Sequence, residues 1–538
     1  MDALLNLLVT VWGRIVYIAT QPLQSYMEWA WQHPAYYLLF PEFFLALAIL
    51  FVLIVWVLSR RENLNVVIWL AIVGVLSNFA MTVHLMQATS RYFTYGLGTF
   101  WGGMETIDPF AIFFKQLMDW GDVFLFLILL GYGLMKKHRV EFIILMLMAT
   151  VAFDLMVGSS DLLAIYVMTE FASIILYIMA AYYKDNLRSL EAGLKLFVTG
   201  VVSSASMLFG IAIVYGITGS TNLYDLKLFL ELHALRSGHP MVVLAFVMII
   251  VGIGYKIGVA PFHLWIADTY EGAPTPVTAF LSVFPKVAGF AVFMRIFLLG
   301  FEPAADAWMP LIAVIAVLTL FVGNIMALRQ RSLKRLLGYS GVAQMGFVLM
   351  AIIAATYHQD TTANIGFWSA LYYLMMYFFF NLGAFLVAML NEVSGGSDDL
   401  ASYNGFYRRS PWLAAFMTIF LLALTGIPPT VGFVAKFFVF VSLVMVGGAQ
   451  NPLPIVLVVV AAVNTVIAAF YYLGIIMRMY FWEPATRVQA TSYTPFLLQR
   501  VAVLVPALAV LLLGFMFVAA PFDYVRGAYF LTYWVPVA

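Results

Sequence analysis

Apolar runs of about 19–35 residues recur from Leu38 almost to the end of this chain, each long enough to cross the ~30 Å core of a bilayer as a helix. In hydrocarbon no water is at hand for backbone N–H and C=O groups, so such runs are read as helices that satisfy those groups internally. The runs occupy residues 38–58, 65–87, 110–134, 139–157, 162–183, 191–217, 241–270, 275–299, 307–328, 333–356, 365–392, 412–446, 454–481 and 498–520. Composition agrees: 64% of the residues are hydrophobic and only 10% charged, where a soluble domain carries roughly 25%. The expected fold class is an all-α polytopic membrane protein with about fourteen transmembrane helices.

The same inventory excludes several functions. A net charge of +1 argues against nucleic acid as a partner. The chain has no cysteine, which rules out disulfides, thiolate metal sites and iron–sulfur clusters. Neither a Walker A loop nor a GxGxxG nucleotide fingerprint nor HExxH is present, and no polar stretch is long enough to fold as a catalytic domain. The chain is expected to conduct or couple and to perform no redox chemistry of its own. Residues 1–37 lack the features of a secretory signal; with Trp12, Trp29, Trp31, Tyr36 and Tyr37 they read as an interfacial helix, with an extra span as the alternative.

Basic residues set the orientation. Arg60, Arg61, Lys136, Lys137, Arg139, Lys184, Arg188, Arg329, Arg331, Lys334, Arg335, Arg408, Arg409 and Arg487 fall on one set of loops. The opposite set holds Arg14, Arg91, Lys227, Arg236 and Arg526. By the positive-inside rule the first set is cytoplasmic, which puts both ends of the bundle on the outer side.

Two spans are interrupted. Gly258 and Pro261 break the seventh just after Lys256, and Gly426, Pro428 and Pro429 break the twelfth just before Lys436. Irregular backbone at bilayer depth is how many transporters build ion sites. The breaks lie five spans apart, an odd number, so equivalent helices run in opposite directions: an inverted repeat of two five-helix units. The expected divisions are 1–37 (extension), 38–137 (three helices), 138–300 (first unit), 301–482 (second unit) and 483–538 (last helix and tail).

Glu170, Lys256, Lys286 and Lys436 remain inside apolar spans. Each costs at least ~2.5–3.5 kcal/mol at a helix centre unless it faces a partner or a hydrated interior. Three lysines against one glutamate cannot all be paired, and a desolvated lysine readily loses its proton, so these residues are read as a proton relay rather than as static ion pairs. Glu191 and Lys195 form an i,i+4 pair, read either as a helix pair or as a proton-uptake pair; His263, just past the first break, is a candidate shuttle. Glu42, His84, Lys115 and Asp154 are expected at span ends, as interface or snorkelling residues.

Four stretches carry a resemblance: SLEAGLK (189–195), GYKIGVAPFHLWIADTYEGAPTPVTAFLSVFPK (254–286), LKRLLGYSGVAQMGF (333–347) and GIPPTVGFVAKF (426–437). They resemble the antiporter-like subunits of respiratory complex I over residues 38 to 520, and the turn YEGAPTPVTAFLS with Lys436 is similar to the N-type branch, the counterpart of mitochondrial subunit 2. The resemblance implies a proton-translocating membrane-arm subunit of an NAD(P)H- or ferredoxin:quinone oxidoreductase. It makes Glu170 the glutamate that communicates with a neighbouring subunit, Lys256 its lysine partner, Lys286 the central lysine and Lys436 the lysine of the exit half-channel. Glu191, Lys195 and His263 match residues of importance in the family. Flavin mononucleotide, iron–sulfur clusters and quinone are implied only for partner subunits, namely an M-type antiporter-like subunit and small K-, J- and A-type subunits, in a bacterial plasma membrane among lipids. Gln344 departs from the pattern, standing where the family often has a histidine. The alternatives are a subunit of a multi-subunit sodium/proton antiporter and an inert scaffold.

Overall fold

The computed structural model describes residues 40–59, 64–92, 103–106, 108–135, 138–233, 239–357, 364–448, 451–484 and 497–519. The expected interfacial helix at 1–37, the tail beyond 519 and several topology-setting residues (Arg60, Arg61, Lys136, Lys137, Arg487) lie outside them.

Helices stand at all fourteen apolar runs. They are α1 (Phe40–Ser59), α2 (Leu64–Tyr92), α3 (Pro109–Leu129), α4 (Arg139–Gly158), α5 (Leu162–Ala180) and α6 (Leu187–Thr218). A short α7 (Leu223–Leu232) precedes α8 (Pro240–Ile257), α9 (Ile266–Gly272), α10 (Thr275–Arg295), α11 (Ala305–Leu328), α12 (Leu333–Thr356) and α13 (Ile365–Val393). After the four-residue α14 (Phe406–Arg409) come α15 (Pro411–Thr425), α16 (Val431–Val446), α17 (Leu453–Phe481) and α18 (Leu497–Ala519). Among the described residues eleven helices are long and apolar enough on their own to cross a membrane. Of the others, α3 carries Lys115, Asp119 and Asp122, and α15 and α16 are the shorter halves of one interrupted run.

Local chemistry starts and stops these helices. Asp108 caps α3, accepting from Ala111 N at 2.8 Å with Pro109 following, and Asp161 caps α5 through Leu163 N and Ala164 N at 2.8 and 3.0 Å. Ser332 and Asn364 do the same for α12 and α13. Between the apolar runs 191–217 and 241–270 stands the short α7: Asn222 caps it, and Leu223, Leu226 and Leu230 bury one face at helical spacing.

Burial shows where the centre lies. Every residue of α10 is buried, as are all of α12 except Arg335, Tyr339 and Thr356 and most of α13, whereas most of α17 faces outward. An apolar helix with protein on all sides can hold a polar side chain that lipid would reject. Lys286 belongs to α10.

Candidate functional site

Lys256 occupies the last turn of α8, which ends because Gly258 turns into the left-handed region at φ +75°. A Cβ there would meet Ile266 Cδ1 at 2.5 Å, so only glycine fits both the angle and the space. Protein groups satisfy the freed backbone: Gly258 N and Val259 N both donate to Gly254 O at 3.0 Å, Trp265 Nε1 donates to Tyr255 O at 3.1 Å, and Ala260 N to Thr319 Oγ1 at 3.0 Å. Lys256 Nζ lies 3.4 Å from Glu170 Oε1 on α5 and 2.5 Å from Ser173 Oγ, and Ser204 of α6 donates to the same Glu170 oxygen. Glu170 keeps 26% of its side-chain surface, on a flank where Val167, Phe171, Ile174, Phe197 and Val201 are exposed.

Lys286 is fully buried on α10. Its Nζ donates to Tyr377 Oη at 3.2 Å and sits 5.8 and 5.6 Å from the ring centres of Tyr270 and Tyr377. α12 meets the amine at Gly341, whose notional Cβ would be 2.6 Å from Nζ. Pro285 next to it removes the backbone donor that would have bonded Leu281 O, and the Tyr270 hydroxyl donates to that carbonyl instead, at 3.1 Å.

Lys436 stands on α16 but acts on the end of α15. Its Nζ donates to Leu424 O at 3.1 Å and Thr425 O at 2.8 Å, the last carbonyls before Gly426 turns at φ +85°. A cation at a helix C-terminus answers both the unpaired carbonyls and the negative end of the dipole. Among the described residues neither Lys286 nor Lys436 forms a salt bridge; of the three, Lys256 alone pairs with a carboxylate, as the excess of lysines requires.

Tyrosines and an amide lie between Lys286 and Lys436. Tyr377, bonded to Lys286, is one turn from Tyr373 on α13, and Tyr373 Oη donates to Gln344 Oε1 on α12. Gln344 Nε2 donates to Leu424 O at 2.9 Å, the carbonyl Lys436 also uses, and to Tyr472 Oη at 3.3 Å. The sequence reading, which followed ionisable residues in apolar spans, did not single out these tyrosines. Their signal was spacing: Tyr373 and Tyr377 are an i,i+4 pair in an otherwise apolar span.

At one end of this line an ionic network joins three helices. Lys195 of α6 bonds Glu191 at 2.7 Å and Asp268 of α9 at 2.6 Å, and Arg335 of α12 bonds Asp268 and Glu271 at 2.8 Å each. The i,i+4 pair seen in sequence is therefore part of a larger set. His263 lies in the break between α8 and α9, buried, with no partner for Nδ1 among the described residues and 6.3 Å from the Tyr339 ring centre.

One expectation is corrected. Glu42, Lys115 and Asp154 are not interface residues: all are at most 5% exposed, and Lys115 pairs with Glu42 inside the bundle. Asp119, Asp122, Lys334 and the Arg295–Asp108 pair (2.7 Å) are buried as well. Distance from a span end fails as a guide because the partner arrives from another helix. His84 is partly buried. No group of three or more His, Cys, Asp or Glu side chains is placed to hold a metal ion among the described residues.

Residues 159–468 match the family described as NADH:quinone oxidoreductase/Mrp antiporter, transmembrane. The chain is 40% identical over 395 residues to NADH-quinone oxidoreductase subunit N 2 of Chloroherpeton thalassium, 71% of this chain and 75% of that one. Among solved structures it resembles a chain of respiratory complex I from Thermus thermophilus with TM-score 0.70 and 26% identity, covering 89% of this chain and 98% of the other. A chain of the Mrp complex from Dietzia sp. shares the fold, with TM-score 0.73 and 19% identity over 88% and 94% of the two chains.

Proposed function

The chain belongs to the NADH:quinone oxidoreductase/Mrp antiporter transmembrane family, among the N-type subunits of complex I, and we propose that it moves protons along the line Glu170, Lys256, Lys286, Lys436. As a membrane-arm subunit of an NADH-quinone oxidoreductase it works within a complex with other subunits. The observation that carries the relay is the pair of buried amines, Lys286 and Lys436, held by hydroxyl and carbonyl oxygens rather than by carboxylates. Such an amine can be neutral or charged at modest expense, and a charge added nearby is a large perturbation in a low-dielectric interior.

In this reading quinone reduction elsewhere in the complex alters the charge on Glu170 or its separation from Lys256. The Lys256 ammonium, which leans on that carboxylate and on Ser173, then holds its proton less firmly. A proton released there raises the charge near Lys286, and the tyrosines with Gln344 link Lys286 to Lys436. Glu191, Lys195 and His263 form the uptake side. The chain does no redox chemistry itself: flavin, iron–sulfur clusters and quinone belong to other subunits, and the partners are an M-type antiporter-like subunit and small K-, J- and A-type subunits. The electron donor is NADH, NADPH or a ferredoxin.

The proposed topology is fourteen spans in a bacterial plasma membrane with both ends of the bundle outward. The units 138–300 and 301–482 are inverted repeats flanked by 38–137 and 483–538. The matching breaks at Gly258 and Gly426, each with a lysine beside it, support that division.

The relay is tested with Lys286→Met in the assembled complex. Proton pumping is expected to fall at least tenfold with assembly intact; pumping at wild-type rate would refute it. A cation/proton antiporter would use the same lysines, but identity to N-type subunits over most of the chain supports the first reading.

A further inference from the structure

A second group of ionisable side chains lies within the helices α1 to α4, none of which carries a residue of the lysine line. Asn78, in α2, directs its side-chain amide at two carboxyls at once. Its Nδ2 donates to Asp119 Oδ1 at 2.7 Å and to Asp154 Oδ2 at 3.2 Å. Asp119 comes from α3 and Asp154 from α4, and none of the three is more than 1% exposed.

Donors and acceptors do not balance there. Each ionised carboxylate offers two acceptor oxygens and the amide one more, while among the described residues the amide's hydrogens are the donors to the set. Asp119 Oδ2, Asp154 Oδ1 and Asn78 Oδ1 have no partner among the described residues. The asparagine oxygen is informative by itself: it is neutral, fully buried and part of the amide that bridges the two acids, and it lacks a donor. Turning the amide over would aim this oxygen at the carboxyls, and a carboxyl can meet it only by donating a proton. In that orientation an acid supplies the missing hydrogen, and in the observed one the unmatched Asp119 Oδ2 and Asp154 Oδ1 are the positions a proton would occupy.

The charges facing the set point the same way. Lys115, on the same face of α3, is paired with Glu42 of α1. Asp122 accepts from Thr150 Oγ1 of α4 at 2.6 Å and leaves Oδ1 without a partner, so it adds an acid and no cation. Glu105, just ahead of α3, is buried beside Ser159. α10 and α13 present Phe284 and Phe378 to α3 at Gly121, and Arg295 at the end of α10 binds Asp108. Like-charged carboxylates this close and this dry do not both stay ionised.

We propose that Asp119 and Asp154, bridged by Asn78, form a proton-binding site that holds an exchangeable proton in the α1–α4 helices. The site is independent of the lysine relay and stands whether or not that relay is correct.

The test is infrared spectroscopy of the purified complex in lipid nanodiscs. The wild type is expected to show a protonated-carboxyl C=O band that moves in D2O. Asp119→Asn and Asp154→Asn, which are isosteric with the protonated acid and should assemble, are each expected to remove intensity from it. Asn78→Ala, which keeps both acids, is expected to shift the band and covers the case in which an Asp variant fails to assemble. Three results overturn the proposal: a band unchanged in all three variants, a band that never moves in D2O, or one that disappears when sodium is added at fixed pH, which would make the site a cation site.

Discussion

The side-chain amide of Gln344 and the ammonium of Lys436 converge on one carbonyl oxygen, that of Leu424, at 2.9 and 3.1 Å. An amide cannot carry a proton as a histidine can. It can still hold the Tyr373 hydroxyl and the end of α15 in register with the lysine.

Gln344→Leu removes that bracket and leaves the Tyr373 hydroxyl buried without its acceptor, a loss of about 1–3 kcal/mol. Pumping is expected to drop severalfold while assembly persists, and Gln344→His is expected to retain most of it. Proton-gradient formation in native membranes, normalised to quinone reduction, checks both.

Gly426→Ala places a side chain at φ +85° and a Cβ 2.8 Å from Lys436 Cδ. The angle alone costs roughly 1–2 kcal/mol, and the clash displaces the lysine from Thr425 O. Reduced thermal stability of the solubilised chain and weaker pumping are expected together.

Asp108 both caps α3 and binds the fully buried Arg295 at 2.7 Å. Asp108→Ala takes the carboxylate partner from a buried guanidinium, and removing one partner of such a pair costs about 3–5 kcal/mol. The expected result is failure of the chain to accumulate in membranes, read by immunoblot, whereas Glu231→Ala, at a partly exposed site, leaves its level unchanged.

Burial pushes the Glu105 carboxyl from its ordinary value of 4.5 up to about 8, with Lys115 opposing the shift. The folded chain therefore keeps this proton over a range where the unfolded chain has released it. The stabilisation is full below about pH 4.5 and is lost as pH rises through about 8. Thermal unfolding at about pH 6 and about pH 9 should show a smaller alkaline loss for Glu105→Gln than for the wild type.

Much of this was legible beforehand, for definite reasons. Spans are set by length and hydropathy, which are local, so a helix stands at each apolar run. A lysine within such a run is conspicuous, and Lys256, Lys286 and Lys436 stood out for that reason. Gly258 and Gly426 announced the breaks because a left-handed residue beside proline cannot continue a helix. What escaped was pairing between distant segments. Lys115 finds Glu42 across 73 positions, and Tyr132 finds Glu392 across 260, so neither partner can be read from spacing. Hydroxyls were hidden differently, since Tyr373 and Tyr377 look like packing until another helix brings Gln344 and Lys286 to them.

The most direct measurement of the central claim is made on native membranes carrying Lys256→Met, with quinone reduction, the proton gradient and complex assembly recorded together. Lys256 is the lysine that touches Glu170, so the relay begins there. The account predicts an assembled complex in which quinone reduction and pumping fall together. Wild-type rates of both in the assembled variant would contradict it and leave Lys256 a structural charge.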